Sequence, residues 1–484
     1  MNGESLAEKK KRRVAERVLF VFFWAFGAFH LLMSAFPYVA DPIALWEYER
    51  WIMAAFLLSG IGYMIAVCIK CPESFHRIRE RLKRLINPEA ICVAGFVLWY
   101  VIVFLVRQRI DGVLWMKYGH WWIVDMLISA CFLFPLGFFA GIKEGKKWME
   151  ASLHIFLGLH AVFTLWCLWE VFHMNTVTLP SGAQVYMRQG RTLQIGCHYN
   201  ITGAIAASMF AGCLYMVASK KSFIRILYIA AGCIQMVALL LSNSRTVFLS
   251  TILLIACWAG IGVWQKTTGK RKMQRICMTI AVTAFICLVF WWLRTEVFVW
   301  YGNISINALA ADEGTLRSVQ NAAEESVREL NNLSGREKVW RGAIRIMLSS
   351  PETFFFGVTP FKVTDALREI GGLTNDFAHA HNVFLQVGVS FGVPMMLAFN
   401  FFSVRVLWKG MKVILRGAGK TYQGAYMAPV IVLFFIAMNQ MEAYLVAYFS
   451  IMSYLFFLMC GWTCAIEQET REIRTDHESG VLIP

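Results

Sequence analysis

The stretch "FAHAHNVFLQVGVSFGVP", Phe377 to Pro394, sets His379, His381 and Asn382 directly ahead of a long apolar run. His198 stands in a similar setting, followed by Tyr199, Asn200 and a second apolar run. An imidazole whose unperturbed pKa lies near about 6.5 suits the removal of a hydroxyl proton at neutral pH. Two plainer readings compete with a general base. The asparagines serve as helix N-caps beside solvated histidines, or the His-x-His pair ligates a metal. No external cysteine and no carboxylate is placed by spacing to complete a metal site, so no metal is expected.

A second group of residues has phosphate chemistry. Arg188 and Arg191 lie in "MRQGRTLQIGCHYN", Arg245 in "LSNSRTVFL", and Arg336 and Arg341 flank Trp340 in "REKVWRGAIRIMLSS". A guanidinium stays charged, and its planar donor fork matches two phosphate oxygens. Arg245 is the most telling. Only Ser242 to Arg245 and then Thr246 separate two apolar runs, and a charge there is expensive and usually has a partner. The bland alternative is an arginine that snorkels to the interface.

The elements that must position these groups are membrane helices. The 484 residues are 58% hydrophobic and 16% charged, against about 25% charged for a soluble domain. Twelve apolar segments follow one another: about Val18–Ala35, Trp51–Ile69, Ala90–Val106, Trp121–Gly141, Ala151–Phe172, Ile201–Ala218, Ile226–Leu241, Thr246–Trp264, Ile276–Leu293, Val383–Phe402, Ala428–Met438 and Ala443–Trp462. Most approach the roughly 20 residues that a spanning helix needs; the eleventh is short or interrupted. The fold expected is an all-α polytopic membrane protein of about twelve transmembrane helices. The first helix follows a basic segment and, with no small-residue cleavage site behind it, reads as uncleaved.

Orientation follows from Lys and Arg. With the N-terminus inside, the cytoplasmic segments hold 30 of the 46, in agreement with the positive-inside rule. Both termini are then cytoplasmic, and the net charge of +15 reflects topology rather than nucleic-acid binding. The divisions are a basic N-terminus (1–17), helices one to nine (18–293), a long, partly helical extracytoplasmic loop (294–381), helices ten to twelve (382–462) and a cytoplasmic tail (463–484). Every histidine and arginine singled out above falls on the outer side. Among the cysteines only Cys197 does, so no external disulfide framework is expected; the lone pair Cys68 and Cys71 lacks the partners of a zinc or redox site. Within the long loop, "TLRSVQNAAEESVRELNNL" reads as a water-facing helix. Val339, Trp340, Ile344 and Met347 mark an amphipathic helix at the membrane surface, ended by Pro351 and the "FFFGVTPF" turn. A pyrophosphate at that surface belongs to a lipid-linked molecule, so chemistry and location together point to a lipid-pyrophosphate substrate.

At these residues the chain resembles the O-antigen ligase and polysaccharide polymerase superfamily of the bacterial envelope. "CHYNITG" is similar to the family's His-x-Asn at a helix start, "SNSRTVFL" to its Ser-Arg turn, "SGREKVWRGAIRIMLSSPETFFFGVTP" to its Arg-x-x-x-Trp segment, and "HAHNVFLQVGVSFGVPMM" to its His-Asn-x-x-Leu stretch. The likeness runs from about Arg188 to Phe402, and Met395 departs from a glycine frequent after Pro394. It implies a glycosyltransferase of the cytoplasmic membrane that moves a glycan from an undecaprenyl-pyrophosphate carrier to an acceptor hydroxyl, without cofactor or metal and with inversion. Arginines matching Arg245 and Arg336, and less surely Arg188 and Arg191, would hold the pyrophosphate. The histidine matching His381 would be the base, with His379 the other candidate. Nothing in one sequence separates ligase from polymerase. The rival from another class is a flippase for the same lipid-linked glycan, which predicts charges at mid-helix and internal repeats; Asp125 is the clearest membrane-embedded acid.

Overall fold

A computed structural model describes residues 83, 85–111, 133–141, 146–172, 176–178, 184–186, 188–189, 192–193, 199–219, 223–267, 271–309, 336–373, 379–415, 426–446 and 451–478. The first two expected helices, Asp125, Cys68, Cys71, Cys197, Arg191, His198 and the stretch 315–333 lie outside these residues. The described residues open with α1 (Pro88–Asp111), α2 (Phe134–Gly141) and α3 (Lys146–Phe172). Two small hairpins follow: β1 (Thr176–Thr178) pairs antiparallel with β2 (Gln184–Tyr186), and β3 (Arg188–Gln189) with β4 (Thr192–Leu193). These strands modify the all-α expectation, but only within a connecting segment. Then come α4 (Tyr199–Ser219), α5 (Ile224–Ser242), α6 (Arg245–Lys266), α7 (Lys272–Leu309), α8 (Arg336–Met347), α9 (Pro351–Phe356), α10 (Val363–Glu369), α11 (Val383–Phe391), α12 (Val393–Leu415), α13 (Met427–Met438) and α14 (Ile451–Glu478).

Six of these helices are long and apolar enough to cross a membrane: α1, α3, α4, α5, α6 and α7. Each coincides with an apolar run read from sequence, because a spanning helix must satisfy all its backbone groups internally and present hydrocarbon to lipid. The protein is thus a multi-pass membrane protein. In α7 none of the apolar window is buried among the described residues, whereas α4 is the most enclosed of the six. The helices α4 and α5 pack along their lengths, as do α2 and α14. The last pair meets backbone to backbone at Gly137 and Gly461, where a side chain would strike the facing carbonyls.

Three expectations change. The apolar run 383–402 is not one helix. Gly392 takes φ +89, a left-handed conformation, and ends α11 after nine residues, or about 14 Å at 1.5 Å per residue, too short to span a bilayer. Trp99 Nε1 donates to the Phe391 carbonyl at 2.8 Å and takes up one of the carbonyls left open at that end. Second, α7 stays helical past Leu293 to Leu309, so the first residues taken as loop continue a helix. Third, the turn expected over 354–361 starts only after Phe356, because residues 351–356 form a short helix that Ser350 and Thr353 open with a reciprocal capping box around Pro351. The amphipathic segment is α8 as expected, burying Val339, Ala343, Ile346 and Met347, but Ile344 faces outward, 45% exposed. Its buried face joins Val363, Leu367, Ala380 and Val389 in a second small core against α10 and α11.

Candidate functional site

Four separate connections converge at one end of the bundle. Asn200 comes from the first turn of α4, Thr246 from that of α6, Arg336 opens α8, and His379 to Asn382 lead into α11. They meet around Glu442, in the short connection between α13 and the 3-10 turn Tyr444–Val446. The Glu442 side chain is only 1% exposed. Its Oε1 accepts from Arg336 Nη2 at 2.9 Å and from Asn200 Nδ2 at 3.3 Å. Its Oε2 lies 3.5 Å from His381 Nδ1. Arg336 Nη1 donates to Thr246 Oγ1 at 3.4 Å. Burial alone would push the Glu442 carboxyl up. The His381 imidazole 3.5 Å away, with the charges of His379 and Arg336, outweighs it and holds the group below its ordinary value, hence ionised.

The local backbone is built to present these groups. Asn382 caps α11: its Oδ1 accepts from the N–H groups of Phe384 at 2.9 Å and Leu385 at 3.1 Å. Its Nδ2 donates to the Gln440 carbonyl at 3.0 Å, and the Val383 N–H donates to the Asn439 carbonyl at 2.9 Å. Asn439 Oδ1 accepts from the Leu445 N–H at 3.1 Å, closing the turn that carries Glu442. The segments bearing the histidines and the carboxylate are therefore stitched together by backbone groups.

His381 itself has φ +49, a left-handed conformation that costs a non-glycine residue about 1–3 kcal/mol and clusters at functional sites. Three contacts hold it there. Trp340 Nε1 donates to the His381 carbonyl at 3.3 Å, and the His381 N–H donates to His379 Nδ1 at 3.2 Å. The third is the Val383 to Asn439 bond just described. The two imidazoles stand 4.1 Å apart, centroid to centroid. Because His379 Nδ1 accepts from backbone, its network role is support. His381 Nδ1 faces the carboxylate, which leaves Nε2 as its other functional atom.

The sequence-derived candidates divide accordingly. Arg336, His379, His381, Asn200, Asn382 and Trp340 belong to one constellation, and half-buried Arg245 immediately precedes Thr246 at the start of α6. Arg341 stands apart on the exposed face of α8, ion-paired with Glu337. Arg188 lies in β3, whose partner is β4. Sequence reasoning missed Glu442 altogether. The signal existed: a single acid in "NQMEAY", between two apolar runs on the side already holding the arginines, carries the same cost that drew notice to Arg245.

His379, His381 and Glu442 offer ligand atoms all within 4.8 Å of one another, close enough together for a metal ion. The carboxylate that spacing could not supply is thus present in three dimensions. Arg336 is bonded to that same carboxylate, however, and its guanidinium, 2.9 Å from the carboxylate oxygen, repels a dication and already neutralises the charge that would attract it. The donor set suits an anion approaching Arg336 better than a cation approaching Glu442.

Among curated proteins, none matches this chain closely enough to count as a relative. The family model described as O-antigen ligase matches residues 230–399, which include Arg245, Arg336, His379 and His381 and stop short of Glu442. Over those residues, about a third of its length, the chain is similar to the O-antigen ligase family.

Proposed function

We propose that the protein is a glycosyltransferase of the bacterial cytoplasmic membrane that moves a glycan from an undecaprenyl-pyrophosphate carrier to an acceptor hydroxyl on the extracytoplasmic side. The observation that carries this reading is the convergence of Arg336 and His381 on one buried carboxylate, with Arg245 beside Thr246, at a single end of an apolar bundle. A cation for phosphate and a base for a hydroxyl are the two groups such a transfer requires.

In the proposed reaction Arg336 and Arg245 hold the pyrophosphate and stabilise the charge that grows on it as the glycosidic bond breaks. His381 Nε2 takes the proton of the acceptor hydroxyl. The freed oxygen pair forms the bond to the anomeric carbon, and the carbon–oxygen bond to pyrophosphate breaks with its electrons leaving on the carrier. One displacement with one base gives inversion. The developing imidazolium lies against Glu442, whose charge stabilises it. Arg188 and Arg191 complete the proposed set of phosphate cations, and His198 the proposed pocket with Asn200, Asn382 and Trp340; Arg341, paired with Glu337 on the exposed face of α8, is left out of it. No cofactor or metal takes part. The acceptor is lipid A core or protein for a ligase, and a second lipid-linked repeat unit for a polymerase.

Complementation of a strain lacking the gene tests this, with Arg245→Ala, Arg336→Ala and His381→Ala. Each variant is expected to insert normally, lose surface glycan and accumulate carrier-linked glycan on the outer leaflet. Full activity in all three refutes the catalytic reading. Accumulation on the inner leaflet instead identifies a flippase.

A further inference from the structure

Glu442 serves two partners of opposite need. Its bond to Arg336 at 2.9 Å is of ordinary charge-assisted length, whereas the 3.5 Å to His381 Nδ1 exceeds a normal hydrogen bond. Of Arg336, Asn200 and His381, the imidazole lies farthest from this carboxylate. Facing it are Arg336 from α8, Asn200 from α4, and His379 and His381 from the segment before α11; Thr246 of α6 stands behind Arg336. Among the described residues, the other terminal nitrogen of Arg336 bonds the neutral Thr246 hydroxyl, at 3.4 Å. A pyrophosphate, with at least two charges and paired oxygens, therefore competes on favourable terms for the guanidinium fork. Once the fork turns, a carboxylate that is 1% exposed is left without its cation, which is strongly unfavourable unless another partner closes on it. His381, 3.5 Å away, is able to carry charge and to close on it.

Resting on the transfer reaction proposed above, we infer that Glu442 is a positioning residue that changes partner during the cycle, pairing with Arg336 in the empty site and with His381 once the donor's pyrophosphate has claimed Arg336. Donor binding then brings the carboxylate onto the imidazole and strengthens it as a base. Pyrophosphate and proton become positively coupled ligands of one site through a shared counter-ion.

The test uses the full chain in lipid nanodiscs with undecaprenyl pyrophosphate as the probe. In protein carrying 15N-labelled histidine, the titration midpoint of His381 is expected to rise by about one pH unit when the probe binds, a tenfold coupling. Glu442→Gln abolishes that rise, and Glu442→Asp keeps part of it. In turnover, Glu442→Gln removes the competitor for Arg336, so the probe binds about tenfold more tightly while kcat falls about tenfold or more. A residue needed only for folding would weaken both. Probe binding without movement of the His381 midpoint overturns the exchange alone, as does weaker binding in a folded Glu442→Gln variant. No binding by the wild-type chain overturns the transfer reading and the exchange with it.

Discussion

Replacing Arg336 with alanine and then removing the charge of Glu442 in the same background separates the two jobs of this ion pair. Arg336→Ala deletes the 2.9 Å charge-assisted bond and leaves a carboxylate that is 1% exposed. Breaking a buried pair from one side costs about 3–5 kcal/mol. Arg336 is 17% exposed, and Asn200 at 3.3 Å and His381 at 3.5 Å remain beside Glu442, which brings the expected loss to about 2–3 kcal/mol. Adding Glu442→Gln removes the uncompensated charge and should return about 1–2 kcal/mol, because a neutral amide is far cheaper to bury. Unfolding of the purified variants in mixed micelles, followed by circular dichroism, reads both numbers. Transfer activity must move differently: both variants should lose roughly 30- to 1000-fold in kcat/KM, equivalent to about 2–4 kcal/mol of transition-state stabilisation. If the double variant is no more stable than Arg336→Ala, the two groups are not partners and the site has been misassembled.

Further outcomes follow from the same geometry. His381→Ala should lower kcat by about 10²- to 10⁴-fold with little change in donor binding, whereas His379→Ala, which removes a backbone acceptor, should cost less; equal losses would show that the bases had been assigned wrongly. The Glu442 carboxyl is held below its ordinary value of 4.5, so its contribution to stability is present above that value and disappears as pH falls through the lower folded-state value. Melting curves from pH 7 to pH 3 should show this loss in the wild type and a flatter profile in Glu442→Gln. Gly392→Ala places a side chain at φ +89 against the Phe355 carbonyl and should cost more than about 2 kcal/mol, read as reduced folded yield; a normal yield would mean the break between α11 and α12 is not obligatory. Transfer in excess EDTA should continue at the wild-type rate, and abolition restored by a divalent ion would turn His379, His381 and Glu442 into a metal site.

What the sequence determined by itself is everything local. Continuous apolar runs must be helices in hydrocarbon, so α1 and α3 to α7 could be drawn from hydropathy alone. The cost of a charge between two such runs marked Arg245, and Asn382 ahead of an apolar run marked a cap that the structure contains. Tertiary structure decided partnership and direction. Arg336 and Glu442 are 106 positions apart, and no spacing rule links them; only the folding of separate helix ends to one place does. Ile344 fits the helical period of α8 yet faces outward, because the second core lies to one side of that period. The run 383–402 has the composition of one helix, and its division depends on a backbone angle at Gly392 that hydropathy does not encode. The histidines were visible as chemistry, but what distinguishes them is tertiary. His379 is spent on the backbone of His381, and His381, held at φ +49 by Trp340, turns toward an acid that only the closed bundle brings within reach.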